Sequence, residues 1–257
     1  MNSGSYAQRA ARHSAPSVDR RHLHLPTPLP SVRFGARLIP TEFPLPPSLC
    51  KEGNHVPGIE VSETSIPGAY RIKTNHLRDR RGHFYEAWQF SELLKQAGHH
   101  FLIQQVNYSV SKKNTLRGIH GTTIPPGQTK LVTCVRGAAM DVAVDLRVGS
   151  PTFGQYDVTL QEARSGIGVY LADGIGHAFL ALTDDTCMNY LCGAEYVHGT
   201  MIDVQALDPA IGIPWELDGP PITSDKDAAA PTLAEAVERG LLPTYEQALA
   251  AATPPPG

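Results

Sequence analysis

The chain has 257 residues, a length that allows one large domain or two small ones. Its 22 basic and 25 acidic residues give a formal charge of −3, which excludes the basic excess needed to bind a nucleic acid or an anionic membrane surface. The hydrophobic content of 41% is enough for a sizeable core, and no apolar run approaches the roughly 18 residues of a membrane-spanning helix.

The N-terminal part of the chain has a composition of its own. The first 60 residues contain nine of the 22 prolines and carry a net charge of +3, against −6 for the remainder. Proline fixes φ and removes a backbone donor, so we expect residues 1–58 to be an unstructured, Pro-rich extension. Its Arg- and Ser-containing opening also has the composition of an organelle transit peptide, and a start site assigned too far upstream would explain it equally well.

From Ile59 onward, short strand-like runs alternate with turn residues. The runs are FLIQQVNYSVS, KLVTCVRG, AAMDVAVDLR, GQYDVTL, GIGVYLA, HAFLALT and TCMNYLC. Because no long helices separate them, the pattern predicts an all-β antiparallel sandwich or barrel and disfavours a parallel α/β fold. Within Met140–Leu146, apolar residues alternate with Asp141, Ala143 and Asp145, which predicts a strand buried on one face only.

Short helices are predicted only at the margins of this β-rich region. SELLKQAG has Ser91 as a candidate N-cap and Gly98 as a stop, and TLAEAVERG has the capping-box spacing of Thr232 and Glu235 before Gly240. We therefore predict one folded domain at 59–245, followed by a C-terminal tail at 246–257.

Three segments contain side chains that could carry chemistry. Arg117 and His120 lie among the glycines of LRGIHG, where missing Cβ atoms permit close approach of backbone or ligand. Gln128 and Lys130 begin an otherwise apolar strand, and His177 opens another. Each has an ordinary structural explanation as well: a turn with a surface histidine, a solvated lysine at a strand edge, and a histidine satisfied in the core.

Sequence patterns for metals, nucleotide cofactors and disulfides are not found. No second histidine or carboxylate follows His120 before Asp141, so no metal site is predicted. Neither a GxxxxGK[ST] loop nor a GxGxxG turn is present, so no nucleotide cofactor is predicted. The cysteines are too few and too irregularly spaced for a disulfide scaffold, which indicates free thiols and a cytoplasmic location; they are Cys50, Cys134, Cys187 and Cys192.

Eight segments, taken in order, resemble the dTDP-4-dehydrorhamnose 3,5-epimerase family. They are DRRGHFYE (79–86), LRGIH (116–120), QTKLV (128–132), DVAVDLRVGSPTFGQY (141–156), GIGHAF (174–179), NYLCGAEY (189–196), LDPAIGIPW (207–215) and SDKDAAAPTLAEA (224–236). The similarity extends from about Ile59 to Tyr245. The C-terminal segments particularly resemble the branch that makes deoxysugars for antibiotics.

The resemblance implies a cupin-type antiparallel jelly-roll barrel with short peripheral helices, assembled as a homodimer without metal or cofactor. The implied substrate is dTDP-4-keto-6-deoxy-D-glucose, used in dTDP-rhamnose or antibiotic deoxysugar biosynthesis. The implied reaction inverts C3, C5 or both, beside the C4 ketone.

By resemblance, four residues carry the proton transfer. His120 matches the base, and an imidazole suits this role because it titrates near neutrality. Asp227 matches the carboxylate that holds the histidine, and Tyr190 matches the phenol that returns the proton. Lys130 matches a residue near the ketone, where an ammonium would stabilise the developing oxyanion.

Further positions match the family's substrate pocket. Arg81 and Arg117 match positions that contact the diphosphate and nucleotide, for which a guanidinium fork is suited. The remaining pocket positions are Phe84, Glu86, Gln105, Asn107, His177, Tyr196 and Lys226. In the family, the segment that contains Gln105 and Asn107 can reach the partner subunit's site.

Three positions depart from the family pattern. Gly121 stands where an aromatic residue usually follows the base, and we expect this change to widen the pocket. Met201 replaces a Glu that many members carry, and Ala206 replaces a Trp. These departures do not change the four residues that carry the proton transfer. They leave open whether C3, C5 or both are inverted.

Alternative functions differ in what they do with the same pocket. A C3-only epimerase and a sugar-nucleotide 3,4-ketoisomerase also need a base, and the identity of the product separates them. A non-catalytic dTDP-sugar-binding module is disfavoured because His120, Lys130, Tyr190 and Asp227 are all present.

Overall fold

The computed structural model describes residues 58–252, and regular structure within them is mostly β. The strands are β1 (Ile59–Glu63), β2 (Ala69–Thr74), β3 (Leu77–Asp79), β4 (Gly82–Phe84), β5 (Gln105–Ser111), β6 (Leu116–Thr122), β7 (Lys130–Arg136), β8 (Ala138–Asp145), β9 (Tyr156–Glu162), β10 (Ile167–Leu171), β11 (Ile175–Ala181), β12 (Thr186–Cys192) and β13 (Met201–Asp203). The helices are α1 (Phe90–Ala97), α2 (Asp225–Ala228), α3 (Leu233–Glu238) and α4 (Tyr245–Ala252). The extension predicted at 1–58 lies outside the described residues, except for Gly58.

The strands form two main sheets and a hairpin. The first sheet has the order β1-β2-β10-β7-β12-β5, the second has the order β13-β6-β11-β8-β9, and β3 pairs with β4. The ladders between these strands are antiparallel. One cluster of buried apolar residues joins the two sheets. The prediction of an all-β antiparallel jelly roll is confirmed.

A second apolar cluster covers the outer face of the second sheet. It joins residues of β6, β8 and β11 to the C-terminal segment, including Ile211, Ile213 and Leu233. The opposite face of β8, with Ala143, packs against the first sheet, so the strand is buried on both faces and Asp141 and Asp145 are at most 1% exposed. The prediction of a half-buried strand at Met140–Leu146 was wrong. The C-terminal segment covers the apolar face of the strand, and the face with Asp141 and Ala143, which alternation alone assigns to solvent, turns inward toward His177 and the first sheet.

The helix at Phe90–Ala97 differs from its prediction at one end. Its N-cap is Gln89, which makes no capping hydrogen bond through its side chain, so the prediction of Ser91 as the cap was wrong. Its C-terminal end is as predicted: Gly98 has φ 72° and its N–H donates to the Leu94 carbonyl. Only a residue that tolerates the left-handed region ends the helix here without strain.

Two capping boxes organise the C-terminal helices. In α3 the Thr232 hydroxyl accepts from the Glu235 N–H, and the Glu235 carboxylate accepts from the Thr232 N–H, as predicted. In α4 the Thr244 hydroxyl accepts from the Gln247 N–H at 3.1 Å, and Gln247 Oε1 accepts from the Thr244 N–H at 2.8 Å. The prediction of a tail from residue 246 missed this second box, so residues 246–252 are corrected to helix.

The turn after β8 is held by a buried ion pair. Arg147 Nε and Nη2 donate to the two oxygens of Asp145 at 2.7 and 2.8 Å, and the Ser150 and Thr152 hydroxyls donate to Asp145 Oδ2. The family segment DLRVGSPT therefore has a structural role, because its polar side chains satisfy one another. Within the described residues, no helix is long and apolar enough to cross a membrane.

Candidate active site

The polar residues of the inner strands converge on a cavity of about 400 Å³. Its lining includes nine predicted site residues, namely Gln105, Asn107, Arg117, His120, Lys130, His177, Tyr190, Tyr196 and Lys226. The other lining residues are Tyr108, Ser109, Gln128, Phe179, Cys192 and Met201. The fold thus brings together residues from seven elements, β5, β6, β7, β11, β12, β13 and α2, and from the loop after β12.

A glycine allows β6 to lie close against β11 at this cavity. Gly118 has φ 105°, and a Cβ at this position would lie 2.5 Å from the His177 carbonyl oxygen. Only glycine fits both the backbone conformation and the contact. The register of the two strands then places His120 opposite His177. The LRGIH segment therefore contains a real close-approach glycine.

His120 is held by a carboxylate from α2. Its Nε2 lies 2.8 Å from Asp227 Oδ1, and the Gly118 N–H donates to Asp227 Oδ2 at 3.3 Å. Burial alone would raise the pKa of Asp227, but the hydrogen bonds from His120 and Gly118 and the charge of His120 outweigh it and lower that pKa. An ionised Asp227 accepts the proton on Nε2, which leaves the other ring nitrogen free as a base.

A second histidine–aspartate pair lies beside the first. His177 Nε2 is 2.7 Å from Asp141 Oδ2, and both side chains are buried. Asp141 Oδ1 has no hydrogen-bond partner within the described part of the chain. Asp141 was not identified as a site residue from the sequence, although its position on the polar face of β8 was a usable signal.

Tyr190 projects from β12 toward His177 and lines the cavity. Its hydroxyl lies 3.1 Å from Ser109 Oγ, and its ring meets the His177 ring edge-on with centroids 5.8 Å apart. Burial raises the pKa of Tyr190 to about 12, although the hydrogen bond with Ser109 opposes the shift. The phenol is therefore neutral at ordinary pH. The partner Ser109 was not identified from the sequence.

Lys130 begins β7 and has Cys192 as its ladder partner. Burial lowers the pKa of Lys130, while the charges of Cys192 and Asp173 act in the opposite direction. Lys130 is half-buried and lines the cavity, which disfavours the alternative of a solvated lysine at a strand edge. A lysine in this position can contact an oxyanion that forms within the cavity.

Three predicted pocket residues do not reach the cavity of their own chain. The side chain of Arg81 is 84% exposed and pairs with Asp79 at the tip of the β3–β4 hairpin. Phe84 is 62% exposed on the same hairpin, and Glu86 accepts a hydrogen bond from Gln89. A single chain therefore does not unite these three residues with His120.

The three departures from the family pattern have different surroundings. A Cβ at Gly121 would meet Leu146 at 3.3 Å and Ile202 at 3.7 Å, so this position faces the outer apolar cluster. Ala206 also lies in that cluster, whereas Met201 lines the cavity. The expectation that Gly121 widens the pocket was wrong, because a residue next to His120 in a strand points to the opposite face.

A further carboxylate lies near the base. Ligand atoms of His120, Asp203 and Asp227 all lie within 4.8 Å of one another, a grouping that linear spacing did not reveal. Lys226 Nζ is 2.9 Å from Asp203 Oδ1, so an ammonium group already lies against this carboxylate. Asp203 was not identified from the sequence.

Comparison with known proteins decides the family. Residues 63–235 match the family described as dTDP-4-dehydrorhamnose 3,5-epimerase. The chain belongs to this family. The resemblance seen in the eight sequence segments is thereby confirmed, and so is the classification as an isomerase.

Relatives with two stated specificities are about equally similar to this epimerase. A dTDP-4-dehydro-6-deoxyglucose 3-epimerase of Streptomyces bikiniensis is 49% identical over 71% of this chain and 93% of its own length. A dTDP-4-dehydrorhamnose 3,5-epimerase of Mycolicibacterium smegmatis is 47% identical over 71% of this chain and 90% of its own length. Identity alone therefore does not choose between inversion of one centre and of two.

Solved structures show the same fold. The Mycobacterium tuberculosis rmlC epimerase has a TM-score of 0.73 at 40% identity, covering 75% of this chain and 98% of its own. NovW, a 4-keto-6-deoxy sugar epimerase from the novobiocin gene cluster of Streptomyces spheroides, has a TM-score of 0.72 at 40% identity, covering 76% and 99%.

Proposed function

We propose that this epimerase acts on dTDP-4-keto-6-deoxy-D-glucose and inverts C3, C5 or both without a cofactor. The observation that carries the proposal is a single cavity lined by His120, Lys130 and Tyr190, with Asp227 bonded to His120. Solved relatives support the substrate class, since one from S. bikiniensis is in complex with dTDP-quinovose and one from Legionella pneumophila with dTDP-4-keto-L-rhamnose.

Proton abstraction is the first step. His120 takes the proton from the carbon beside the C4 ketone, and the C–H electron pair forms a C=C bond while the carbonyl π pair moves to oxygen. The Lys130 ammonium stabilises the resulting oxyanion. Asp227 stabilises the imidazolium, because its lowered pKa keeps it ionised.

Reprotonation from the opposite face completes the inversion. Tyr190 donates its phenolic proton to the carbon, the C=C pair forms the new C–H bond, and the ketone is restored. A pKa of about 12 keeps Tyr190 protonated until this step, so that it does not compete with His120 as the base. Solvent then returns a proton to the phenolate, and His120 releases its own.

The nucleotide part of the substrate needs cationic and amide groups. Arg117 lines the cavity, and its Nε donates to Ser111 Oγ at 3.1 Å, which orients the guanidinium. Gln105, Asn107, His177 and Tyr196 supply further polar contacts around the ligand. Lys226 adds a further cationic side chain to the cavity lining.

We propose that the active form is a homodimer. Strand β5 is at the edge of its sheet and exposes Val106, Tyr108 and Val110 by 49%, 66% and 54%. Apolar edge strands are usually paired or covered. A second copy would cover β5 and would bring its own hairpin residues, Arg81, Phe84 and Glu86, to the neighbouring cavity.

Mixing two inactive variants tests the shared site. His120→Ala removes the cavity's base, and Arg81→Ala removes the hairpin's cation. If one subunit's hairpin serves its partner's cavity, the mixture regains turnover that neither variant has alone. A mixture no more active than its parts, or a monomer by light scattering, would contradict the shared site.

We also propose a cytoplasmic location. Among the described residues, Cys134, Cys187 and Cys192 are free thiols. Free cysteines are typical of a reducing compartment. A fluorescent fusion localised by microscopy, with fractionation as the second measurement, tests this assignment.

The decisive experiment for the reaction is NMR of dTDP-4-keto-6-deoxyglucose in D₂O with the purified protein, followed carbon by carbon. Deuterium at C3, C5 or both, with inversion, supports the proposal and decides the specificity. A 3-keto product would instead indicate a 3,4-ketoisomerase. Binding with no exchange at either carbon would indicate a binding module.

A further inference from the structure

Asp203 brings a second carboxylate to the base. Its Oδ1 lies 3.8 Å from His120 Nε2, the same nitrogen that lies 2.8 Å from Asp227 Oδ1. This oxygen is sealed from solvent and accepts no hydrogen bond of good geometry from the described residues. Its charge is instead met by Lys226 Nζ, 2.9 Å away. The position of Asp203 therefore depends on ionic contacts within the site.

The backbone fixes Asp203 beside His120. In the ladder between β13 and β6, Asp203 is the direct partner of His120, and Met201 is the partner of Thr122. Ile202, between them, is 4% exposed in the outer apolar cluster, so the alternation turns Met201 and Asp203 toward the cavity side. The ladder therefore keeps the backbone of Asp203 directly beside that of His120.

Asp203 also contacts the helix that holds the other carboxylate. Lys226 precedes Asp227 in α2, a helix of only four residues. The Asp203–Lys226 ion pair therefore ties α2 to β13 directly beside the His120–Asp227 hydrogen bond. Loss of the charge on Asp203 would leave Lys226 unpaired next to the base.

The reaction makes this arrangement significant. When His120 takes a proton it becomes a cation, and two carboxylates then lie within 4 Å of its Nε2. Opposite charges at this distance interact strongly where water is partly excluded. Lys226 limits the effect in the resting site, since it balances one of the two negative charges.

We propose that Asp203 is a positioning residue for the base, which favours proton abstraction by stabilising protonated His120 and by fixing α2 through Lys226. This inference rests on the proposed epimerase function. It assigns to Asp203 an effect on the rate of the chemical step and little effect on the binding of the nucleotide.

The test compares Asp203→Asn with Asp203→Glu and with Asp225→Asn, an exposed neighbour in α2 that serves as the matched loss of one charge. For Asp203→Asn we expect kcat to fall about tenfold. A larger fall would be expected if the full attraction between Asp203 and protonated His120 were lost, but Lys226 already offsets part of that attraction. We expect KM and the calorimetric affinity for dTDP to stay within twofold. Asp203→Glu should recover part of kcat, and Asp225→Asn should match the wild type.

Unchanged kcat in Asp203→Asn would overturn the inference. The inference would also be overturned if kcat fell together with the melting temperature and Asp203→Glu did not recover it, since this combination indicates a structural role. A wild-type protein that exchanges no deuterium at C3 or C5 would refute the proposed function itself. Exchange by the wild type is therefore measured first, so that the two failures are distinguished.

Discussion

Two histidine–aspartate pairs meet at one cavity, and they differ in exposure and in the origin of the carboxylate. The His120 side chain is 30% exposed and its partner Asp227 comes from a C-terminal helix. The His177 side chain is 6% exposed and its partner Asp141 comes from the strand beside it. A base must touch its substrate, so the accessible ring is the one suited to proton abstraction, and the buried one is suited to shaping the pocket.

The surroundings of the two pairs reinforce this difference. His120 has a second carboxylate nearby, Asp203, and Lys226 balances it. His177 lies between Asp141 and the ring of Tyr190, in contact with the core. The first pair is therefore built to gain a positive charge during the reaction. The second holds the strand and the phenol in place.

The largest expected effect separates the two histidines. His120→Asn should lower kcat by about 10²–10⁴ and abolish deuterium exchange at both carbons, because positioned general-base catalysis is worth that factor. His177→Asn should keep measurable exchange, because it leaves the base intact. Turnover in D₂O is measured for both variants. Circular dichroism checks that the two variants are folded to the same extent. Equal loss in the two variants would contradict the division of roles.

Tyr190→Phe should separate removal of the proton from its return. The epimeric product should fall by about 10²-fold or more, because the general acid is lost. Deuterium should nevertheless enter the recovered substrate, since His120 can still take the proton and give one back on the same face. NMR of the recovered sugar nucleotide measures both quantities. A variant that makes product at the wild-type rate would remove Tyr190 from the mechanism.

Asp227→Asn should also show how the His120–Asp227 pair contributes to the free energy of unfolding. The pKa of Asp227 is lowered in the folded protein, so its contribution to the unfolding free energy is present above the ordinary carboxyl pKa of about 3.9 and is lost as pH falls through the folded value. The difference in unfolding free energy between wild type and Asp227→Asn should therefore be constant near pH 7 and shrink below about pH 4. Urea unfolding at several pH values measures it, with Asp225→Asn as the control. If the difference in unfolding free energy grew on acidification, this would contradict a lowered pKa of Asp227 in the folded protein.

The sequence could predict the residues that chemistry requires more readily than the residues that support them. His120, Lys130 and Tyr190 belong to recognisable segments, and each lines the cavity. Asp203 and Ser109 become partners of these residues only through strand register, which pairs distant parts of the chain. Register depends on the whole sheet and leaves no local signal in the sequence.

Errors in the fold have a similar origin. Alternation in β8 was real, but the segment around Ile211 and Leu233 covers its apolar face, and the face expected to meet solvent, with Asp141, turns inward instead. Gly121 was expected in the pocket wall because it follows His120, whereas the period of a strand sends it to the opposite side. The hairpin residues Arg81 and Phe84 were grouped with the site by resemblance, and one chain does not bring them there.

The smallest expected effect concerns metal ions, and it further distinguishes the two pairs. Only the first pair, in the described part of the chain, has a third ligand atom close by, through Asp203. We expect dialysis against EDTA to leave kcat unchanged, because the Lys226 ammonium already meets the charge of Asp203 and the mechanism needs His120 as a free base. Turnover before and after chelation, with metal content by mass spectrometry, measures this. Activity lost on chelation and restored by one divalent ion would contradict the cofactor-free mechanism and would make the Asp203 carboxylate a ligand.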